Sequence, residues 1–263
     1  MRPRPEVDDG PLESHERMRL FLGRGRLQRW TLGTRIESRG RVRWRRVVGP
    51  ERTTNDLHDE GDVDRVESYL NQLSHVVRDM PQADIWSAIN ILMSAWERQS
   101  MIYTMGNGGS ASTASHMAND LNKLTIVEGQ PRFRAICITD NVPLVTAWAN
   151  DSAYQHAFAE PLRNLIRQDD VLIVISGSGN SPSVIEAVEV ANKASAVTLG
   201  YTGLDGGRLK LVVDHCVRVP TNWIVQQEDA HLILNHCIAT TLRGLIEERD
   251  AAAHDATGSG TAE

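Results

Sequence analysis

Cysteine, lysine and long apolar runs are scarce in this sequence, and each shortage narrows the choice of protein class. The three cysteines, Cys137, Cys216 and Cys237, lie far apart and form neither a C-x-x-C motif nor the even set of a disulfide framework. No apolar run approaches the roughly 20 residues of a membrane-spanning helix. The first residues also lack the apolar segment of a signal peptide. We therefore expect free thiols, no membrane partner and a location in the reducing cytoplasm.

The basic residues are almost all arginine. The chain has three lysines against 25 arginines, and residues 1–50 carry thirteen arginines, six acidic residues and no lysine. Residues 1–60 show no helical or strand periodicity. They are either a basic arm for nucleic acid or an acidic partner, or a disordered extension, including one produced by a start codon assigned too far upstream. We favour the second interpretation, because the scarcity of lysine beside arginine suits a GC-rich gene with a start codon assigned too far upstream, whereas Trp30 and Trp44 keep the first interpretation open. The net charge of −6 gives no reason to expect a nucleic-acid partner.

After residue 60 the apolar residues recur at regular helical and strand spacings. Two amphipathic helical patterns come first, one on each side of Pro81. Five short apolar runs follow, at residues 101–105, 134–138, 170–176, 195–201 and 215–220. Helical patterns separate and follow these runs, at residues 110–123, 142–149, 154–167, 181–193 and 223–248.

The apolar runs have the character of buried parallel strands. VLIVI in the third run is apolar on both faces, as strands covered by helices on both sides are. Strands that alternate with helices predict an α/β domain with a doubly wound, five-stranded parallel sheet flanked by helices, over residues 61–250. Residues 251–263, rich in alanine, glycine, serine and threonine, are expected to form a flexible tail.

Two glycine- and serine-rich loops follow predicted strands. GNGGSAS, residues 106–112, follows the first strand, and SGSGNS, residues 176–181, follows the third. Glycine lets a backbone approach a ligand closely, and the helix after each loop offers free N–H groups and a positive dipole end to an anion. Because ligands of open α/β sheets bind at the carboxyl ends of strands, the two loops predict one phosphate-binding edge.

Neither loop is suited to a nucleotide. Both lack the Lys-Ser/Thr pair of a P-loop, and neither has the G-x-G-x-x-G spacing of a dinucleotide-binding fold. The sequence therefore favours a phosphate group carried by a smaller molecule.

Carboxylates and histidines recur on two predicted helices. His116 and Asp120 are four residues apart and share one face of the helix after the first loop. Glu228 and His236 are eight residues apart on the last helix, about 80° around its axis. Such groups suit an acid–base pair or a divalent metal of the zinc kind. Spacing alone does not choose between these roles and a solvent-exposed polar pair, and His231 is equally compatible with a subunit contact.

Several motifs in register resemble the sugar isomerase (SIS) domain, and within it the phosphoheptose isomerases. They are GNGGSAS with the following HMANDL, the AND of residues 149–151, VISGSGNSPSVIEAV, YTGLDGG and EDAHLILNH. The resemblance covers roughly residues 63–248, and it implies a flavodoxin-like strand order for the predicted sheet.

The resemblance implies an enzyme that interconverts an aldose and a ketose phosphate through an enediolate. The family's substrate is sedoheptulose 7-phosphate. Its acid–base pair maps onto Asp120 and His236. Its phosphate-binding serine loop maps onto Ser176, Ser178, Asn180 and Ser181. Its sugar contacts map onto Asn107, Gly108, Ser110, Asn150 and Asp151.

The resemblance also implies a homotetramer with active sites at subunit contacts and, as in some members, a zinc ion. The zinc ligands map onto His116, Asp120, Glu228 and His236. This chain departs from the family at two of them, where glutamate has become Asp120 and glutamine has become Glu228. The shorter carboxylate has to reach further, and the added carboxylate strengthens a divalent-cation site. Gly177 replaces a hydroxyl residue of the serine loop, which removes one phosphate donor.

These departures leave two other functions open. One is the isomerisation of another ketose phosphate, such as an octulose 8-phosphate in a secondary-metabolite pathway. The other is a non-catalytic relative that binds a sugar phosphate or a replication initiator. The presence of Asp120 argues against the second, because such relatives can lose the helix carboxylate. Residues 1–60 also lack the helix-turn-helix pattern of a regulator.

Overall fold

The computed structural model describes the backbone of residues 37–38, 41–42 and 60–258 and the side chains of residues 64–252. The chain divides into two compact units, Met1–Leu57 and His58–Glu263. In the first unit, strand β1 (Glu37–Ser38) pairs antiparallel with strand β2 (Arg41–Val42). The predictions for the rest of residues 1–59 and for residues 259–263 lie outside the described ranges.

Two helices open the second unit and match the predicted pair. Helix α1 covers Glu60–Arg78 and helix α2 covers Gln82–Arg98, with Pro81 directly before α2. Proline separates the helices because it lacks the N–H of a continuous helix and disfavours helical backbone in the residue before it. The buried residues of α2 include Ile85, Ile89, Leu92, Met93 and Trp96, which share one face as the amphipathic pattern requires.

A five-stranded parallel sheet lies at the centre of the second unit. Its strands are β3 (Met101–Gly106), β4 (Arg134–Cys137), β5 (Val171–Ser176), β6 (Val197–Thr202) and β7 (His215–Arg218). They pair in the order β4-β3-β5-β6-β7, with every pair parallel. Counted from β3, this is the 2-1-3-4-5 order of flavodoxin-like, doubly wound sheets. The predicted fold class is confirmed.

Helices cover both faces of this sheet. They are α3 (Gly109–Lys123), α4 (Val142–Asp151), α5 (Ala159–Arg163), α6 (Pro182–Lys193) and α7 (Ile224–Gly258). One apolar core joins α2, α3 and α7 to the sheet, and a second joins α5 and α6 to its other face. In β5, Ile173 enters the first core and Val174 the second. This explains the continuous apolar run, and each such fully buried side chain stabilises the fold by roughly 1.5–3 kcal/mol.

The prediction of one helix over residues 154–167 is wrong. Tyr154–His156 forms a short 3-10 helix, and α5 covers five residues. Pro161 explains the interruption, because its nitrogen cannot donate the hydrogen bond that a continuous helix would need there. In the first turn of α5 that nitrogen needs no partner.

Helix α7 is longer than predicted. It has 35 residues and runs ten residues beyond the predicted end at 248, so residues 251–258 of the predicted tail are helical. Alanines at 251–253 are strong helix formers. Among the described helices, α7 included, none combines the length and the apolar character that crossing a membrane requires.

The inner side of α7 buries a histidine. His231 is inaccessible to solvent, and its ring centroid lies 6.5 Å from that of Tyr201 in β6. It therefore lies inside the chain rather than on a surface that another subunit could contact. Burial lowers the pKa of His231 to about 4, because the charged imidazolium would lose its hydration. The ring is neutral in the folded protein at neutral pH.

We predict that His231 makes the fold sensitive to mild acid. In the unfolded chain it binds a proton below about pH 6.5, whereas in the fold it stays neutral down to about pH 4. The unfolded state therefore gains the proton first, and the free energy of unfolding falls as pH drops from 6.5 towards 4. At pH 5 the loss is on the order of 2 kcal/mol.

Urea unfolding at pH 7.5 and pH 5 measures this loss. His231→Asn is the comparison, because asparagine is polar but does not titrate. Between the two pH values the free energy of unfolding of His231→Asn should fall by about 2 kcal/mol less than that of the wild type. An equal loss in both proteins would contradict the assignment.

Candidate active site

The two glycine- and serine-rich loops lie at the same edge of the sheet. Strands β3 and β5 are parallel neighbours, with Gly106 in register with Ile175, so the loops that follow them start side by side. Helix α3 begins at Gly109 and helix α6 at Pro182. Two helix N-termini with unpaired N–H groups therefore lie at this edge, which suits an anion.

Glycine is required where the first loop begins. A Cβ atom on Gly106 would lie 2.6 Å from the backbone of Ser110 and 2.9 Å from the carbonyl oxygen of Ile175. Gly108 has a φ of +55°, which glycine adopts without the steric cost of a side chain. The chain therefore passes directly from β3 into α3, with Ser110 buried in the first turn.

Asn107 is held from two sides. Its Nδ2 donates to Ser183 Oγ at 3.1 Å, and its Oδ1 accepts a hydrogen bond from the Tyr154 hydroxyl at 2.6 Å. The predicted sugar contacts Asn150 and Asp151 are exposed at the end of α4 and bond each other at 2.8 Å. Sequence reasoning missed Tyr154, whose position soon after Asp151 was the only signal for it.

The serine loop, residues 176–181, retains serine hydroxyl groups that can still donate hydrogen bonds. Ser176 Oγ accepts a hydrogen bond from Gly179 N at 3.2 Å, and Ser178 Oγ accepts one from Asn180 N at 3.3 Å. These bonds leave the O–H groups of both serines as donors. Ser181 precedes α6 without forming a side-chain capping bond. The loop thus presents the donors that a phosphate requires.

Two histidines and a carboxylate converge where α3 packs on α7. His116 and Asp120 come from α3, and His236 comes from α7 of the same chain. The two histidine Nε2 atoms are 3.0 Å apart. Asp120 Oδ2 lies 3.3 Å from His116 Nε2 and 3.7 Å from His236 Nε2. We name these three residues the His–Asp cluster.

Asp120 differs from the two histidines in its burial. Its side chain is 9% exposed, against 40% for His116 and 49% for His236. Apart from the two imidazoles, Asp120 Oδ2 has no polar partner among the described residues, and it is shielded from solvent. A buried carboxylate oxygen is costly unless a proton or a cation compensates its charge. The His–Asp cluster is therefore suited to binding or transferring positive charge.

Glu228 does not join the His–Asp cluster. A Cβ atom on Gly109 would lie 2.5 Å from Glu228 Oε1, so the carboxylate rests on the first turn of α3. Negative charge is favourable at a helix N-terminus. Three of the four predicted metal ligands thus lie together. The carboxylate of the fourth, Glu228 of α7, lies beside the N-terminal turn of α3.

Gly109→Ala should stabilise the fold by less than the roughly 1 kcal/mol that the helix propensity of alanine supplies. The added Cβ would overlap the Glu228 carboxylate, which ends a flexible side chain and would have to leave the first turn of α3. Gly244→Ala in α7 is the matched control, because no atom outside the adjoining helix backbone lies within 4 Å of its Cβ position, and it should stabilise the fold by the full amount. Denaturant unfolding measures both changes. Equal stabilisation by the two substitutions would show that the Glu228 contact is unimportant.

Comparisons with known proteins agree with this fold. A family model described as the SIS domain matches residues 66–203, just over half of the chain. The phosphoheptose isomerase of Rhodospirillum rubrum is 32% identical over 62% of this chain and 85% of that protein. The phosphoheptose isomerase of Helicobacter pylori strain P12 is 35% identical over 56% of this chain and 76% of that protein. The lincomycin biosynthesis protein LmbN of Streptomyces lincolnensis is 31% identical over 62% of each chain.

Solved structures are similar over the same region. The phosphoheptose isomerases of Francisella tularensis and Neisseria gonorrhoeae each match with a TM-score of 0.64, at 28% and 27% identity. Each match covers 69% of this chain and 98% of the other protein. The strand order, the two loops and these similarities lead to one conclusion: the chain belongs to the SIS domain family.

Proposed function

We propose that this chain is an aldose–ketose isomerase of a long-chain sugar phosphate. The first candidate reaction converts sedoheptulose 7-phosphate to D-glycero-D-manno-heptose 7-phosphate. The observation that carries the proposal is the His–Asp cluster, which lies on the same two helices that contact the phosphate-binding edge. Relatives named phosphoheptose isomerase, at 32% and 35% identity, support this choice of substrate.

Helix α7 supports the preference for a long substrate. Gln227 contacts Gly177 in the serine loop, and His236 contacts Asp120. These two residues of α7 are nine positions apart, which is about 13 Å along a helix axis. A phosphate bound in the serine loop and carbons reacting at the cluster would have to be joined by several carbon atoms.

Asp120 and His236 would perform the proton transfer. The Asp120 carboxylate would remove the proton from the carbon beside the carbonyl, which gives an enediolate. His236 would then return a proton to the former carbonyl carbon, and the proton of the adjacent hydroxyl group would pass to the former carbonyl oxygen, so that a new carbonyl forms. Burial suits Asp120 to the role of base, because water competes less for its charge.

We also propose that the His–Asp cluster binds zinc. Its donor atoms, two imidazole nitrogens and a carboxylate oxygen, are ones that zinc favours, and they lie within 4.8 Å of one another. The buried Asp120 Oδ2 is an atom whose charge a cation would compensate. Bound zinc would supply Lewis-acid polarisation of the sugar's carbonyl and hydroxyl oxygens. The resemblance adds Glu228 as a fourth ligand, which would have to move from Gly109.

Asp120→Asn should reduce turnover of sedoheptulose 7-phosphate at least about 100-fold, while the sugar phosphate still binds. The amide keeps the shape of the carboxylate but cannot accept the proton. An isomerisation assay measures turnover, and thermal stabilisation by the same compound measures binding. Asp140→Asn is the control, because that carboxylate is exposed and contacts Ser115 instead. Retained turnover in Asp120→Asn would remove this residue from the mechanism.

Purified protein should contain zinc, and His116→Ala should lower its zinc content. Elemental analysis of both proteins measures the loss independently of activity. Chelation should lower the turnover number of the wild type, and added zinc should restore it. Full activity in zinc-free protein would contradict the metal assignment.

An eight-carbon ketose phosphate, such as an octulose 8-phosphate in a secondary-metabolite pathway, is the second candidate substrate. The similarity to a protein named for lincomycin biosynthesis favours it, as do the departures at Asp120, Glu228 and Gly177. Parallel assays of the seven- and eight-carbon compounds distinguish the two candidates. Binding of both without turnover would instead place the chain with the non-catalytic sugar-phosphate-binding relatives.

We propose that the enzyme is a cytoplasmic homotetramer, as the resemblance implies. Exposed apolar side chains support assembly: Val66 and Leu70 on α1 are 62% and 58% exposed, and Trp86 on α2 is 50% exposed. Helix α4 buries none of its residues although its sequence is rich in apolar ones. Such surfaces are typical of contacts between chains.

A further inference from the structure

Gln227 fills the space between the serine loop and the loop that follows β6. Its side chain is almost completely buried. A Cβ atom on Gly177 would lie 2.4 Å from Gln227 Oε1, and one on Gly203 would lie 2.1 Å from Gln227 Nε2. Gly203 N also donates a hydrogen bond to the Gly177 carbonyl oxygen at 3.0 Å. The two loops and α7 therefore meet at this one amide.

A hydrogen bond fixes the orientation of the amide. Gln227 Nε2 donates to the carbonyl oxygen of Thr221 at 2.9 Å, in the segment that leads into α7. A buried amide group is costly without a partner, so this bond disfavours other side-chain positions. Gln227 is thus a fixed contact rather than a mobile one.

The position of Gln227 explains the departure at Gly177. The resemblance to phosphoheptose isomerases implies a hydroxyl residue there. In this chain Gln227 Oε1 and Ile224 Cδ1, at 2.4 and 2.6 Å from the Cβ position, occupy the volume that such a side chain would need. Gly177 is therefore more than a missing phosphate donor. Glycine at this position lets α7 contact the backbone of the serine loop.

We propose that Gln227 is a positioning residue that holds the serine loop at a set distance from the Asp120–His236 pair. This inference rests on the proposed isomerase function. Gln227 acts through Gly177 at one end of a rigid helical segment, and His236 lies at the other end, about 13 Å away. The segment fixes the distance between the bound phosphate and the reacting carbons. Gln227 thereby selects the chain length of the sugar.

Gln227→Leu tests the proposal, because leucine keeps much of the volume but loses the bond to Thr221. We expect the KM for the sugar phosphate to rise about tenfold or more, since a shift of about 1 Å is costly to catalysis. The ratio of kcat/KM between the seven- and eight-carbon substrates should change as well. A merely structural contact would lower the stability without moving that ratio.

Gln226→Leu is the matched control. Gln226 is the preceding residue, is equally buried and accepts a hydrogen bond from Thr221 Oγ1 at 3.3 Å. It is not among the atoms nearest to Gly177 or Gly203. This variant should change the thermal stability but leave the KM and the chain-length ratio at their wild-type values.

Gly177→Ser gives a second test that does not depend on turnover. It restores a hydroxyl group, yet it should weaken the binding of inorganic phosphate several-fold, because its side chain displaces Gln227. In the double variant Gly177→Ser/Gln227→Ala the amide is removed, and Ile224 Cδ1, which lies 2.6 Å from the same Cβ position, ends an exposed side chain that can shift. Affinity for phosphate should therefore largely return. Isothermal titration with inorganic phosphate measures all three proteins.

Two results would overturn the proposal. One is a Gln227→Leu enzyme with the wild-type KM and chain-length ratio, and the other is tighter phosphate binding by Gly177→Ser alone. If the wild type binds inorganic phosphate but isomerises neither sugar phosphate, the proposed function fails. The phosphate titrations then still decide whether Gln227 positions the serine loop.

Discussion

The close packing of α7 against glycines at the carboxyl edge of the sheet is the contact on which the site depends. Gly109 makes room for Glu228, and Gly177 and Gly203 make room for Gln227. Further along the same helix, His236 reaches Asp120. One helix therefore sets the position of the loop proposed to bind phosphate and of the groups proposed to transfer the proton. The sheet supplies the rigid support, because β5 is buried along its whole length.

The parts of the fold that depend on residues close together in the sequence are predictable from it. Apolar runs bounded by glycine, serine and aspartate indicate the buried strands, and parallel strands bring the loops after β3 and β5 to one edge. Helical spacing likewise places His116 and Asp120 on one face of α3. The meeting of Asp120 with His236 follows from the resemblance to phosphoheptose isomerases, because spacing carries no information about how α3 and α7 pack.

Contacts between segments that are far apart in the chain could not be predicted from the sequence. Glu228 has the spacing of a metal ligand, yet its carboxylate rests on Gly109, since the packing of α7 on α3 determines what each side chain meets. Tyr154 bonds Asn107 across the site, although neither residue stands in a pattern that pairs them. The predicted helix over residues 154–167 fails for a local reason, because its apolar spacing continues through Pro161 while its hydrogen bonds cannot.

The glycine contacts of α7 also limit how parts of this protein can be exchanged with those of its relatives. A serine loop grafted with the hydroxyl residue that the resemblance implies would bring a side chain to position 177, where the Gln227 amide already lies. A grafted α7 with a smaller residue at position 227 would leave the glycines at 177 and 203 facing an unfilled space. Loop and helix therefore form one module for recombination, and chimaeras that transfer both together keep the complementary surfaces.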